Sequence, residues 1–204
     1  QFSAGYGGSD TESITLHGNV TTIGNQDFNA LTVLASDVTT TGGQVSFSGD
    51  VDGAGNNLTI NTTGITAFSG NNYTNLSELA ITADEWNIRG LVSTSGNQSY
   101  DVEKFKITEN LTLLSGAGNI TIGSAQNEPE LNANPKDSGF NLSIGDANQT
   151  GDVAIYGYGV EGGGPDPSFD PDRGLGPIQI GEGSFNVSIQ TSKALDIDSG
   201  EFLN

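Results

Sequence analysis

A chain of 204 residues with 25 acidic against six basic side chains, a net charge of −19, repels nucleic acid and anionic lipid, so neither is an expected partner. Without cysteine it has neither a disulfide framework nor a thiolate metal site. No apolar run approaches the roughly 20 residues of a spanning helix, so membrane insertion is not expected.

The length suits one domain, or two small ones, and is enough to bury a real core. Only 33% of the residues are hydrophobic, but they are mostly Val, Ile, Leu and Phe in strict alternation, which predicts an ordered all-β fold over disorder. Residues 1–12, opening "QFSAGYGGSD", are Gly-rich with two isolated aromatics, Phe2 and Tyr6, and are expected to form an extended arm. Gln1 in place of Met is expected of a secreted chain whose leader has been removed, placing it outside the cell or on its surface, although an arbitrary boundary would look the same. His17, in "LHGN", is expected at the surface.

From residue 13 to 204 a single β-solenoid is expected. Short strands recur between Gly, Asn and Asp turns, and the commonest unit is Asn-aliphatic-Ser/Thr-aliphatic: "NLTI" at 57, "NLTL" at 110, "NITI" at 119, "NLSI" at 141 and "NVSI" at 186. "ALTV" at 30, "ELAI" at 78 and "KFKI" at 104 are weaker relatives. Turns of the type "GNQDF" at 24, "GNNY" at 70 and "GNQSY" at 96 lead into the next strand. The first apolar residues of successive units lie 27, 21 and 26 apart from Leu31 to Phe105, then 22 and 45 apart from Ile120 to Val187. Self-similarity at 20–30 residues predicts stacked coils, roughly eight of them; the unit at 111–114 does not fit the count. Within "NLTI", Leu58 and Ile60 should face inward and Asn57, Thr59 and Asn61 outward. "ELAITADEWNIR" at 78–89 has no helical period and is expected to be strand, turn, strand. Residues 157–177, with four of the six prolines, are expected to be a long Gly/Pro/Asp loop inserted in the solenoid.

"VSFSGDVDGAGNNLTINTTGITAFSG" (45–70) and "GNQSYDVEKFKITENLTLLSGAGNITIG" (96–123) resemble the repeats of large bacterial secreted adhesins of the filamentous-haemagglutinin and autotransporter type. The resemblance covers about residues 20–125. It implies a right-handed parallel β-helix outside the cell and no catalytic residues, since those repeats are scaffold.

Few constellations carry chemistry. Asp166, Asp170 and Asp172 crowd "DPSFDPDRG", whose carboxylates and carbonyls suit Ca²⁺ as a structural ion. Asp50 and Asp52 in "GDVDGAGNN" are a weaker Ca²⁺ candidate and also ordinary turn residues. No other cofactor is expected. A glycosidase or lyase needs a paired carboxylate or a base with cationic partners, which one His and two distant Arg do not supply; an enzyme is not expected. The Thr-rich stretches at 38–43 and 60–66 raise an ice- or glycan-binding face, but a regular Thr rank in every coil is missing. Trp86, Tyr73 and Tyr100 are expected at core edges or turns, whereas Phe2, Tyr6, Tyr156 and Tyr158 are candidates for contact with another chain.

Asn-x-Ser/Thr triplets occur at Asn19, Asn57, Asn61, Asn72, Asn75, Asn97, Asn110, Asn119, Asn141, Asn148 and Asn186. Five of these are the repeating strand unit itself, so strand structure explains much of the excess; as outward positions they are also candidate glycosylation sites. With uncapped solenoid ends, these features make the chain an expected subunit of an extracellular filament, sheath or surface layer, its main partner being itself. The alternative is an adhesin or carbohydrate-binding module of a larger secreted surface protein, with glycans or other surface proteins as partners and Ca²⁺ as a stabiliser.

Overall fold

The computed structural model describes residues 2–4, 13–124, 129–133, 142–156, 158–159, 178–180 and 187–190. Among them every strand pairing is parallel and no helix occurs. The strands stack in three ladders. The first runs through Phe2–Ala4, Gln26–Phe28, Val45–Phe47, Ile65–Phe68, the middle of Leu79–Thr94, the middle of Gln98–Leu114, Glu130–Ala133 and Tyr158–Gly159. The second runs through Ser13–Leu16, Leu31–Leu34, Val51–Asp52, Asn72–Leu76, the ends of the same two long strands, Leu142–Ile144 and Ile178–Ile180. The third comprises Val20–Thr21, Val38–Gly42, Leu58–Thr62, the starts of the long strands, Ile120–Ile122, Val153–Tyr156 and Val187–Gln190. The described residues thus supply eight rungs to each ladder; about six turns of this β-solenoid lie in the continuous stretch 13–124.

The true repeat is shorter than the motif spacing suggested. Val38, Leu58, Leu79, Gln98 and Ile120 follow one another in register at intervals of 20, 21, 19 and 22 residues. The Asn-aliphatic-Ser/Thr-aliphatic unit serves more than one ladder: Leu58 and Ile120 lie in the third, but Leu111 and Leu142 in the second. Measuring from Leu31 to Leu58 therefore mixes ladders, and the awkward unit at 111–114 is an ordinary rung. One further expectation is corrected. Residues 79–94 form one unbroken strand that bends through all three ladders, without a turn. Within the expected arm Phe2–Ala4 pairs with Gln26–Phe28, and within the expected loop Tyr158–Gly159 pairs with Glu130–Leu131; the rest of both segments lies outside the described residues.

Alternation places the aliphatic residues inside, and Leu58, Ile60, Leu79, Ile81, Ile120 and Ile122 are all buried. The first ladder adds an aromatic column. Phe28 stacks on Phe47 with centroids 4.7 Å apart, and Phe68 meets Phe47 edge-on. Between Phe68 and Trp86 the column shifts two residues along the strand, because Trp86 is registered with Thr66 rather than with Phe68. Trp86 then stacks on Tyr100 at 4.3 Å and meets Phe105 edge-on at 4.9 Å, so the aromatic core also reaches the third ladder. Such pairs contribute about 0.5–1.5 kcal/mol each beyond area burial.

Coils this close need glycine at their corners. A Cβ on Gly118 would lie 2.2 Å from the carbonyl of Gly96, and one on Gly151 would lie 1.9 Å from the carbonyl oxygen of Gly118. Similar columns form at the other corners through Gly43 and Gly64, and through Gly49 and Gly70. Polar corner residues complete the joints. The Oδ1 atoms of Asn19, Asp37, Asn97 and Asn119 accept backbone N–H bonds of 2.8–2.9 Å from Thr39, Asn57, Asn119 and Asp152 respectively. In the Gly-Asn-Gln turns the glutamines are the buried members: Gln26 Nε2 donates to the Thr41 carbonyl at 2.8 Å, and Gln98 Nε2 to the Leu114 carbonyl at 2.7 Å.

Burial pushes the hydroxyls of Tyr73 and Tyr100 well above the usual tyrosine range. The fold therefore favours both neutral hydroxyls, whereas the unfolded chain ionises them near pH ~10. Their contribution is thus fully present below that pH and is lost as pH rises above it. Absorbance titration should show two of the five tyrosines ionising only together with loss of the far-ultraviolet strand signal. A smooth titration of all five in folded protein would contradict the burial.

Candidate functional site

The sequence-derived candidates scatter over the solenoid. The Asp50 carboxylate accepts backbone N–H bonds from Asn71 and Asn72 at 2.8 and 3.1 Å, and a 2.9 Å bond from Asn72 Nδ2. Partial burial pushes the Asp50 carboxyl up, but these three bonds outweigh it and leave the group below the usual range. Asp50 thus clamps one coil to the next. Asp52 Oδ1 accepts from the Ala54 N–H at 3.0 Å and from Asn75 Nδ2 at 3.1 Å. Asp50 and Asp52 each hold a turn, and among the described residues no three His, Cys, Asp or Glu gather as a metal would require. Asp166, Asp170 and Asp172 lie outside the described residues, as do Tyr6, Asn141 and Asn186.

Trp86, Tyr73 and Tyr100 are each 0% exposed. They form the core itself rather than its edge. Phe2, Tyr156 and Tyr158 lie on ladder strands. His17 is exposed, as expected.

The asparagines of the triplets divide by position. Asn57 is half-buried, like its neighbour Thr59 on the same face, and its Oδ1 is sealed at the corner. Asn19, Asn97 and Asn119 are exposed but hold the corner joints through Oδ1, and Asn72, Asn75, Asn97 and Asn148 donate Nδ2 to Asp50, Asp52, Glu78 and Asp146. Asn110 is also exposed. Asn61 projects from the third ladder, exposed and in register with Thr41 and Thr82.

The outward residues of that ladder make a nearly uncharged face. One column runs Thr39, Thr59, Ala80, Ser99, Thr121 and the next Thr21, Thr41, Asn61, Thr82, Asp101. Ala80, Asn61 and Asp101 interrupt the hydroxyls, so the Thr rank is incomplete, as the sequence suggested. Cations cluster instead on coils around the first ladder. Lys106 bridges to Glu85 at 2.8 Å, and Arg89 pairs with Glu109 and donates to the Ser69 carbonyl. Lys106 and Glu85 are both partly buried, whereas Glu109 is exposed, and a pair as open to water as Arg89–Glu109 adds little stability.

One concave feature was not foreseen: a groove of about 560 Å³ at the corner between the second and third ladders. It is lined by Asp52, Ala54 and Gly55 of one coil, Asn75 and Leu76 of the next, and Ser93–Ser95 of the third. It exists because these turns differ in length. Gly53–Asn57 is a five-residue connection, while only Ser77 and Glu78 separate the strands in the coil that follows. The longer turn overhangs the shorter one. "GDVDGAGNN" signalled a turn, but only coil-to-coil registration reveals the overhang.

Family models, characterised proteins and solved structures offer no match to this chain. The site's chemistry therefore stands on its own geometry.

Proposed function

We propose that this chain is a non-enzymatic structural element of an extracellular filament, sheath or surface layer that extends by end-to-end stacking or β-strand addition. The supporting observation is that Phe2–Ala4, Ser13–Leu16 and Val20–Thr21 pair on one edge only among the described residues, as do Tyr158–Gly159, Ile178–Ile180 and Val187–Gln190 at the other end. Each terminal rung offers parallel donors and acceptors that a further coil can continue in register. A head-to-tail contact does not close, and so gives a polymer. With a net charge of −19 the copies repel, so salt should promote association. Ca²⁺ at the Asp166–Asp172 loop and glycans on the exposed triplets belong to the same reading.

Electron microscopy and sedimentation across a salt series test the assembly. Filaments or ribbons with a cross-β spacing along their axis support it, whereas a monomer at every salt concentration overturns it. The rival reading, an adhesin or carbohydrate-binding module of a longer secreted protein, draws on the resemblance to filamentous-haemagglutinin and autotransporter repeats. In that case the next coil comes from the same polypeptide, and the length of the encoded chain separates the two.

A further inference from the structure

We propose that the corner groove at Asp52, Asn75 and Ser93–Ser95 is a binding site for a neutral, polyhydroxylated ligand, a short saccharide. Three observations meet there. First, it is a shallow, open groove of about 560 Å³, along which a short saccharide can lie. Second, Ala54 at φ 47° and Asn75 at φ 54° are the only non-glycine residues with positive φ among those described, and both line it. A left-handed conformation costs a residue such as Ala54 about 1–2 kcal/mol, and Asn75 less, and such strain gathers where geometry is held for a purpose. Third, the ladder pairing slips between Tyr73 and Leu76, where an irregularity of the bulge type re-aims the intervening side chains, including Asn75.

The lining sets the ligand class. Asp52 Oδ1 is engaged by the Ala54 N–H and Asn75 Nδ2, and no hydrogen bond reaches Oδ2 among the described residues, which leaves an acceptor for ligand hydroxyls. The Asn75 carboxamide and the hydroxyls of Ser93 and Ser95 add donors and acceptors, and Leu76 is the one large apolar side chain in the lining. An anion would meet the Asp52 charge and the net −19 of the chain. A bare Ca²⁺ needs six to eight oxygens, and the lining supplies one carboxylate. An apolar ligand would desolvate the Asp52 carboxylate and leave its Oδ2 without a partner. Adjacent sugar hydroxyls, which donate and accept at once, match this set.

The test is a titration of isotopically labelled protein with maltotriose, cellotriose, triacetylchitotriose and lactose at millimolar concentration, followed by amide chemical shifts. Saturable shifts confined to Ala54, Gly55, Asn75 and Ser93–Ser95 for at least one sugar are expected. Affinity should fall at least tenfold in Ser95→Trp, which fills the groove from an exposed position, and in Asp52→Asn. Both variants should retain the wild-type circular dichroism, and Ser95→Trp keeps the test decisive if Asp52→Asn disturbs its turn. Overturning results are no saturable shift with any of the four sugars, or equal binding by Ser95→Trp. The proposal is independent of end-to-end assembly: a groove that binds nothing leaves the filament intact, and a monomer can still bind sugar.

Discussion

Replacing Gly118 by alanine should lower the melting temperature by about 6–12 °C, an effect of about 3 kcal/mol for a chain of this size. The cause is contact rather than conformation. Gly118 sits in a corner column between Gly96 and Gly151, and its new Cβ would lie 2.2 Å from both the carbonyl carbon and the oxygen of Gly96. Those atoms are backbone, fixed by rungs on both sides, so no side chain can swing away. The two coils must separate locally, weakening the N–H bond from Asn119 to Asn97 Oδ1 and the one from Gln98 to the Asn119 carbonyl. Gly18→Ala is the control, since a Cβ there has nothing within 4 Å; it should change stability by no more than about 1 kcal/mol. Thermal melting by circular dichroism checks both, and a Gly118→Ala protein melting within a degree of wild type would refute the close-stacking account.

Trp86→Ala should cost about 3–5 kcal/mol, the usual range for truncating a buried aromatic. Trp86 is fully buried and touches Phe68, Tyr100 and Phe105 at centroid distances of 5.7, 4.3 and 4.9 Å. It also marks the point where the aromatic column changes register, so its loss opens a gap between Phe68 on the preceding coil and Phe105 on the following one. Trp86→Phe should be far milder, within about 1.5 kcal/mol of wild type. The phenyl ring keeps most of the packing and removes the indole Nε1, a buried donor with no partner among the described residues. Chemical denaturation resolves the pair: a Trp86→Ala loss below about 1 kcal/mol would mean that the core collapses around the gap. As the single tryptophan, Trp86 also reports wild-type unfolding by fluorescence.

Particular residues show why the sequence disclosed the fold more readily than the groove. The alternation in "NLTI" is a property of one strand, and Leu58 and Ile60 are buried as it requires. The eight-rung height was also within reach, because turns recur whichever ladder they serve. Ladder identity was not, since Leu58 and Leu111 carry the same local pattern on different ladders and only pairing tells them apart. Asn57 and Asn61 are likewise only four residues apart, yet one, just before the strand, has its Oδ1 sealed at a corner and the other stands exposed. The groove was invisible because its lining comes from three coils, and its side chains Asp52, Asn75 and Ser95 are separated by 23 and 20 residues.

The constant register has a consequence for how such a chain can change. The interval in the third ladder widens from 22 residues, between Gln98 and Ile120, to 33 between Ile120 and Val153, while the pairing of Ile120, Thr121 and Ile122 with Val153, Ala154 and Ile155 continues unshifted. Closing a 33-residue excursion rather than a 22-residue one adds only about 0.4 kcal/mol of chain entropy. Extra sequence therefore enters at corners almost freely, while each rung keeps its fixed rise of roughly 4.8 Å. The molecule behaves as a ruler with constant graduations, on which outgrowths can lengthen, shorten or change their chemistry without altering the distance between its ends.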